Sequence, residues 1–416
     1  MTTWFEEAGL GMFIHWDHAS QQGLEISWPL VGGTTGSIMP HCQAVAVDDY
    51  HASATTFDPK AWEPRAVARL AKAAGMRYVI LTTKHHSGYA MFHTKHSDFG
   101  VVNSPYGADI VRGYADALRE EDLRVGFYFS LSDWSHPDYP AFREEDKPYT
   151  GRPPRPSPDA WTRFTEAMFG EIRELLTNYE QVDVLWFDGG WERSADEWRA
   201  TELESMIREL QPEILINDRL PGSNADYTTP EQFVPAQPPD GRWETCMTMN
   251  ESWGYNPTDP DYKSATQLIH TLCEVAGKGG NFLLNVSPRG DGTLPPEQVE
   301  RIEAVGAWMQ RHGAAIHGTQ PGLEPWQFYG PSTRNGDRIY LHLLWKPYGE
   351  VTVRGVKVKR IERVTALADG RELAFTTRTG IIESFAPDPD GELRIEVPDD
   401  VPDEHATVIA VDVRPA

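Results

Sequence analysis

Residues 182 to 191 read Val-Asp-Val-Leu-Trp-Phe-Asp-Gly-Gly-Trp, a short apolar run that ends in a carboxylate, Asp188, followed by two glycines. An apolar run of this length indicates a strand that is buried on both faces, as in a parallel sheet. Barrels of alternating strands and helices carry their chemistry at the carboxyl ends of the strands, so Asp188 is a catalytic candidate. The run alone is equally consistent with an aspartate that caps the following turn.

Strand and helix patterns alternate on both sides of this run. We predict strands at 9–16, 76–83, 123–131, 182–187, 213–217 and 281–286, and helices at 64–74, 108–121, 160–179, 196–210, 262–276 and 296–313. Long loops are predicted at 19–58, 135–158 and 221–242. The alternation predicts an α/β fold, a (β/α)8-like TIM barrel in residues 1–320, although only six or seven strands can be counted.

The pattern changes near residue 324 to short β-rich runs at 338–344, 350–356 and 406–413, separated by Gly, Asp and Pro. Such runs predict a small antiparallel β-sandwich, which we place at residues 321–416 as a C-terminal domain. A chain of 416 residues is long enough for one large and one smaller domain.

The composition excludes several partners. Asp and Glu total 62 against 38 Lys and Arg, a formal charge of -24 that would repel nucleic acid and anionic membrane surfaces. The three cysteines, Cys42, Cys246 and Cys273, give neither a disulfide framework nor a zinc pattern. Without a signal peptide or membrane span we expect a cytoplasmic protein, and a homo-oligomer is compatible with the sequence.

Several predicted strand ends deliver polar side chains, namely His15 and Asp17, His85 and His86, Tyr128 and Asp133, Asp188, and Asn217 to Arg219. The ends of parallel strands meet at one mouth of a barrel, so these groups are expected to form one binding site. Any one of them alone could instead be a satisfied buried group.

A metal-dependent hydrolase is the alternative enzyme class. His15 and Asp17 lie two residues apart, so on a strand they would share a face, as metal ligands do. His85 and His86 are adjacent and should point to opposite sides, and no helical His-Glu-x-x-His pair occurs. We therefore expect hydroxyl binding and no metal or other cofactor.

A second carboxylate, Glu244, follows the long loop and lies among Trp243, Trp253 and Tyr255 in the sequence. Aromatic surroundings would raise the pKa of the Glu244 carboxyl and keep it protonated, as a general acid requires. An equally weighted alternative is a partly buried glutamate paired with Arg219 or Arg242.

Seven motifs occur in the order of a known family. They are Phe-Ile-His-Trp at 13–16, Thr-Thr-Lys-His-His-Ser-Gly-Tyr at 82–89, Gly-Phe-Tyr-Phe-Ser at 126–130, Leu-Trp-Phe-Asp-Gly at 185–189, Trp-Glu at 243–244, Ser-Trp-Gly-Tyr at 252–255 and Gly-Gly-Asn-Phe-Leu-Leu-Asn-Val at 279–286. Together they resemble the α-L-fucosidases of glycoside hydrolase family 29 over residues 4 to 318.

The resemblance implies a (β/α)8-like barrel with a C-terminal β-sandwich, no cofactor, and retaining hydrolysis of terminal α-L-fucose from fucosides or fucosylated oligosaccharides. By position, Asp188 is similar to the family's nucleophile and Glu244 to its usual acid/base. The residues that match fucose-binding positions are His15, His85, His86, Tyr128 and Trp186, and Arg219 matches an arginine near the acid/base. We expect Trp28, Trp186 or Trp253 to pack on the C6 methyl group. A sugar-binding relative that has lost its chemistry is the non-enzymatic alternative.

Two departures from the family pattern affect the site. Asp17 and His18 follow the first His-Trp where the family commonly has Gly, and Ser27-Trp28 stands where it has Glu-Trp, with Glu25 two residues earlier. The placement of the acid/base varies within the family, so Glu25, Asp17 and Glu231 are the next candidates after Glu244. The sequence does not fix the fucosyl linkage or the leaving group.

Overall fold

The computed structural model describes residues 3–31, 40–42, 44–139 and 156–415. Its first seven strands are β1 (Leu10–Ile14), β2 (Tyr78–Lys84), β3 (Arg124–Ser130), β4 (Val184–Asp188), β5 (Leu215–Ile216), β6 (Glu244–Met247) and β7 (Asn281–Val286). Its helices are α1 (Trp4–Ala8), α2 (Val47–His51), α3 (Pro64–Ala73), α4 (Ile110–Glu120), α5 (Pro158–Thr177), α6 (Ala200–Leu210), α7 (Ala265–Gly277) and α8 (Pro296–His312). Parts of two predicted loops, 32–39 and 140–155, lie outside the described residues.

The seven strands form one parallel sheet in the order β5-β4-β3-β2-β1-β7-β6. Its two edges are linked by isolated parallel bridges, from Asn217 to Tyr227, from Thr228 to Trp243 and from Glu231 to Cys246. Residues 227–231 therefore run between β5 and β6 and curl the sheet toward closure. With its helices, the curled sheet confirms the predicted (β/α)8-like domain.

Local sequence explains most of these elements. The strands β1, β2, β4 and β7 are buried at every residue, as expected for a parallel sheet covered on both faces. The helix α7 begins with a capping box in which Ser264 and Gln267 satisfy each other's backbone groups. Strand β6 was missed, because no strand was predicted between the loop that ends at residue 242 and the helix at 262–276.

The C-terminal part is antiparallel. Its strands are β8 (Gln320–Pro321), β9 (Ser332–Asn335), β10 (Arg338–Leu343), β11 (Glu350–Lys357), β12 (Ile361–Ala366), β13 (Phe375–Arg378), β14 (Asp390–Glu396) and β15 (Thr407–Val413). They form a five-stranded sheet, β12-β15-β10-β9-β8, and a three-stranded sheet, β11-β14-β13. One apolar cluster takes side chains from both sheets, among them Leu341, Val411, Val351 and Ile395.

The barrel contacts this C-terminal part through α8, where the indole of Trp308 donates to the carbonyl of Ala406 at 2.8 Å. Cys246 and Cys273 are buried thiols, and no disulfide joins cysteines in the part of the chain that the structure describes. Within the described residues, no helix is both long enough and apolar enough to cross a membrane.

Candidate active site

Asp188 is the last residue of β4, and its carboxylate is held by three side chains. Tyr128 donates its hydroxyl to Oδ2 at 2.8 Å, Arg219 donates from Nη1 to Oδ1 at 3.0 Å, and His86 Nε2 lies 3.6 Å from Oδ2. Burial acts to raise the pKa of Asp188, but the Arg219 charge, His86 and the hydrogen bonds together hold that pKa below its ordinary value. The carboxylate is therefore ionised and fixed in direction.

The glycine pair after Asp188 is required by the geometry. Gly189 has a φ of 72°, in the left-handed region that side chains disfavour. A Cβ on Gly190 would lie 2.2 Å from the carbonyl oxygen of Arg219, closer than real atoms approach. The chain can thus leave β4 and pass directly against the residue that binds the carboxylate.

His85 and His86 follow the end of β2 and lie together, with ring centroids 4.3 Å apart. Nδ1 of His85 is 2.7 Å from the Ser27 hydroxyl, and Nδ1 of His86 is 2.6 Å from the Ser130 hydroxyl. The prediction that they point to opposite sides was wrong. Side chains of adjacent residues alternate between the two faces only within a strand, and β2 ends at Lys84. Burial lowers the pKa of both, that of His86 to about 4, so both rings are neutral near neutral pH.

His15 has a defined tautomer. The amide of Asn285 donates to the carbonyl of Trp253 at 2.8 Å, which leaves its oxygen 2.7 Å from Nδ1 of His15. The ring must donate from Nδ1, so Nε2 is an acceptor. Burial lowers the pKa of His15 to about 3 and keeps the ring neutral, as suits a partner for a sugar hydroxyl.

Aromatic rings surround these polar groups. Trp186 stacks on Tyr128 with centroids 5.5 Å apart, and Trp253 lies 4.6 Å from His15. The half-buried Trp28 meets the His86 ring edge-on at 5.5 Å. All eight predicted binding residues therefore surround one site at the carboxyl ends of the strands: His15, Trp28, His85, His86, Tyr128, Trp186, Arg219 and Trp253.

Arg219 connects Asp188 to a second carboxylate, Glu231. Its Nη2 donates to Glu231 Oε2 at 2.7 Å, while its Nη1 holds Asp188 and its guanidinium lies 4.5 Å from the centre of the Trp186 ring. The Glu231 side chain is one-third exposed, so it faces the opening. The β-prone run at 227–229 that precedes Glu231 was the available sequence signal, but it was assigned to a loop.

Glu244 lies elsewhere, and its predicted role needs correction. It is the first residue of β6, at the opposite end of the parallel sheet from Asp188, and it is 0% exposed. Its oxygens accept hydrogen bonds from Tyr78 at 2.5 Å and from the Trp186 indole at 2.8 Å. Burial raises the pKa of Glu244 to about 7 against these bonds, as predicted in direction, but the group cannot reach a leaving group at the mouth.

The other two candidate acids stabilise loops. The Glu25 carboxylate accepts the backbone N–H groups of Trp253 at 2.8 Å and Gly254 at 2.7 Å, and so holds the segment that carries Trp253. Asp17 accepts from the Ala19 backbone and from the Ser87 hydroxyl. Since β1 ends at Ile14, the strand-face pairing predicted for His15 and Asp17 does not apply.

A metal would fit the site poorly. The ligand atoms of His85, His86 and Asp188 lie within 4.8 Å of one another, close enough to share an ion. However, Asp188 is already bound by Tyr128 and by the permanent cation of Arg219, which would repel a metal ion. Neutral imidazoles, a hydroxyl and aromatic faces suit a small polyhydroxylated ring better.

Comparison with known proteins gives one family. The family model described as Alpha-L-fucosidase matches residues 1–314. Human tissue α-L-fucosidase is 30% identical over 96% of this chain and 85% of its own length. The structure of α-L-fucosidase isoenzyme 1 from Paenibacillus thiaminolyticus is similar with a TM-score of 0.87 and 35% identity, covering 99% of this chain and 98% of that one. A Bacteroides thetaiotaomicron GH29 α-L-fucosidase, trapped as a covalent intermediate with 2-fluoro-fucosyl fluoride, has a TM-score of 0.82 and 27% identity, with 99% and 95% coverage.

Proposed function

This chain belongs to the α-L-fucosidase family, and we propose that it is a retaining exo-α-L-fucosidase in which Asp188 is the nucleophile and Glu231, not Glu244, is the general acid/base. The observation that carries the residue assignment is the Arg219 guanidinium, which binds Asp188 and Glu231 at the same time. It is the contact that brings two carboxylates together at the mouth.

The reaction proceeds in two displacements. An oxygen of Asp188 attacks the anomeric carbon and forms a glycosyl ester, while Glu231 gives its proton to the departing glycosidic oxygen. Glu231, now a carboxylate, then takes a proton from a water molecule that attacks the same carbon. The ester bond breaks and returns the Asp188 carboxylate, so two inversions give net retention.

The buried groups behind the two carboxylates bind the terminal sugar. The neutral rings of His15, His85 and His86 each have Nδ1 bonded inside the protein, so each offers its Nε2 to a sugar hydroxyl, and Nε2 of His15 is an acceptor. Trp28 and Trp253 supply apolar faces for the C6 methyl group of fucose. Because these groups are buried, they can bind only the terminal sugar of a chain, which supports exo action on fucosides and fucosylated oligosaccharides.

We also infer the domain organisation. The catalytic barrel takes residues 1–320, and residues 321–416 form a β-sandwich. The sandwich is supported by the apolar cluster that takes side chains from both antiparallel sheets.

The experiment compares Glu231→Ala with Glu244→Ala on leaving groups of different basicity. An acid matters in proportion to how poor the leaving group is. Glu231→Ala should lower kcat/KM for a fucosylated disaccharide by roughly 100- to 10,000-fold and change kcat/KM for fucosyl fluoride little, because the first displacement of fluoride needs no acid. Azide should rescue Glu231→Ala and yield a fucosyl azide of retained configuration. A panel of aryl glycosides that differ only in the sugar tests the preference for fucose.

Glu244→Ala is the matched control, since it removes the same group from the buried end of the barrel. Any loss it causes should be similar on all substrates. Leaving-group dependence and azide rescue in Glu244→Ala, with neither in Glu231→Ala, would return the acid/base role to Glu244. A wild-type enzyme inactive toward every fucoside would contradict the function itself.

A further inference from the structure

The three neutral histidine rings of the pocket, His15, His85 and His86, can each donate or accept a hydrogen bond at Nε2. Which of the two a ring does depends on which of its nitrogens holds the proton. In all three rings Nδ1 is hydrogen-bonded within the protein, and in the described part of the chain no hydrogen bond is formed at Nε2. The partner of Nδ1 therefore decides how each histidine meets a sugar.

Like His15, His86 must accept at Nε2. The Ser130 hydroxyl donates to the carbonyl of Ser132 at 2.6 Å, and Nδ1 of His86 lies 2.6 Å from the same hydroxyl oxygen. A hydroxyl has one proton, so the proton of the second bond belongs to Nδ1. Nε2 of His86 is left as a buried acceptor 3.6 Å from the Asp188 carboxylate, which is also an acceptor, so a ligand has to supply the donor.

His85 has the opposite arrangement. The Ser27 hydroxyl oxygen accepts the backbone N–H of Ser87 at 2.7 Å and lies 2.7 Å from Nδ1 of His85. If His85 donated from Nδ1, the proton of this fully buried hydroxyl would need another acceptor. The oxygen of Tyr50 is a neighbour of this hydroxyl, but if it took the Ser27 proton, the proton of Tyr50 would lack an acceptor among the described residues. The network is complete when Ser27 donates to Nδ1, which puts the proton of His85 on Nε2.

Ser27 is held where its hydroxyl meets His85, although its backbone is strained. Its φ is 62°, in the left-handed region that is uncommon for residues with a side chain. Its N–H donates to the Tyr50 hydroxyl at 2.6 Å, and the Ser87 N–H fixes its side chain. Strained backbone that its surroundings hold in place is concentrated at functional sites. Ser27 stands where the family pattern has a glutamate, and a carboxylate could only accept from Nδ1, which would favour the other tautomer of His85.

We propose that Ser27 is a positioning residue that fixes His85 as a hydrogen-bond donor to the sugar, while His15 and His86 act as acceptors. The inference rests on the proposed function. A sugar in the pocket must then present hydroxyl protons to two of the rings and an oxygen lone pair to the third. The His85 ring lies parallel to that of Tyr128 with centroids 5.2 Å apart, so the donor ring stands beside a group that holds the nucleophile.

The test inverts the tautomer with two variants of the same size. Ser27→Asn offers an amide N–H to Nδ1 and an amide oxygen to Ser87, as the serine does, whereas Ser27→Asp offers oxygens alone. Both new side chains tolerate a left-handed backbone. In 15N spectra of the histidine-labelled enzyme near neutral pH, without ligand, the His85 signals are those lost in His85→Gln. They should show the proton on Nε2 in the wild type and in Ser27→Asn, and on Nδ1 in Ser27→Asp.

Ser27→Asp should lower kcat/KM for fucosyl fluoride by roughly three- to tenfold relative to Ser27→Asn, mainly through KM, because the sugar loses one hydrogen bond. A role in folding alone would lower the thermal stability of both variants alike and leave the tautomer unchanged. That result, or a wild-type His85 with its proton on Nδ1, overturns the proposal, and the wild-type spectrum decides it even where the variants do not fold. Inactivity of the wild type toward fucosyl fluoride would instead overturn the proposed function, a result that the spectrum distinguishes because it needs no substrate.

Discussion

Glu231 at the mouth of the barrel and Glu244 at its buried end are the same chemical group in two different settings. Glu231 is partly exposed and paired with Arg219, which also binds Asp188. Glu244 is fully buried and bonded to Tyr78 and Trp186. Burial raises the pKa of Glu244, the direction that the sequence suggested, although the hydrogen bonds from its aromatic neighbours act to lower that pKa. A raised pKa gives no access to a leaving group, however, and access decides which glutamate can act as an acid.

The buried end still affects the mouth. Trp186 donates to Glu244 and stacks on Tyr128, whose hydroxyl binds Asp188. Glu244 therefore positions groups that touch the nucleophile without taking part in proton transfer.

The largest effect should come from the mouth itself. Asp188→Ala removes the group that forms the glycosyl ester and should lower turnover of every fucoside by several orders of magnitude. Formate or azide should restore part of the activity by occupying the space of the lost carboxylate. Steady-state rates with and without these anions measure both effects, and wild-type-like turnover would contradict the assignment.

The second-largest effect should come from substitution of Arg219, which links the two carboxylates at the mouth. Arg219→Met removes two charge-assisted hydrogen bonds and should lower kcat/KM for fucosyl fluoride by roughly ten- to a hundredfold. Arg219 lowers the pKa of Asp188, so its loss should raise that pKa and move the acidic limb of the pH profile to higher pH. Arg219→Lys keeps the charge and should move the limb less. An acidic limb unchanged in Arg219→Met would contradict the link.

Glu244→Gln should lower turnover less than Asp188→Ala or Arg219→Met. Its main effect should be on the pH dependence of the stability of the folded protein. In the folded protein the Glu244 carboxyl keeps its proton up to about pH 7, whereas an unfolded chain releases it near its ordinary pKa. The stability that this group contributes is present at low pH and is lost as pH rises through about 7.

Glu244→Gln removes this decline, worth roughly 2 to 4 kcal/mol between pH 4.5 and pH 8. Urea denaturation of the two proteins across this range measures the difference. Parallel stability curves would show that Glu244 titrates in the folded state as it does in the unfolded chain.

The smallest effect should follow exhaustive chelation, which we expect to leave fucosyl fluoride hydrolysis unchanged. The reason is that Arg219 already supplies the positive charge beside Asp188. Addition of zinc or manganese to the chelated enzyme is the companion measurement. Loss of activity that either metal restores would assign His85, His86 and Asp188 to a metal site.

Much of the fold could be predicted because its signals are local. The apolar strands β1 to β4 and β7, and the helices α3 to α8, begin and end within a few residues of the predicted bounds. Strand β6 and the bridging residues 227–231 were missed, because both are short and are held by pairing with distant parts of the chain. Local propensity carries little information about such pairing.

The sequence placed a residue at the site correctly where its position in a strand alone decides where its side chain lies. Asp188 and Tyr128 follow from their positions near the ends of predicted strands, and Trp186 follows from the resemblance to the family. The adjacency of His85 and His86, the Arg219 bridge to Glu231 and the burial of Glu244 do not, since each depends on where the chain goes after a strand ends.

The sequence by itself determined the family, the barrel and the position of Asp188, because motifs and hydrophobic runs are properties of contiguous residues. Only the tertiary structure decided which glutamate faces the mouth. Glu231 and Glu244 lie on neighbouring segments of one sheet edge, and their exposure depends on which end of the barrel each occupies. That is set by the register of β6 against β7 and by the bridge from Glu231 to Cys246, contacts that bring together residues far apart in the chain.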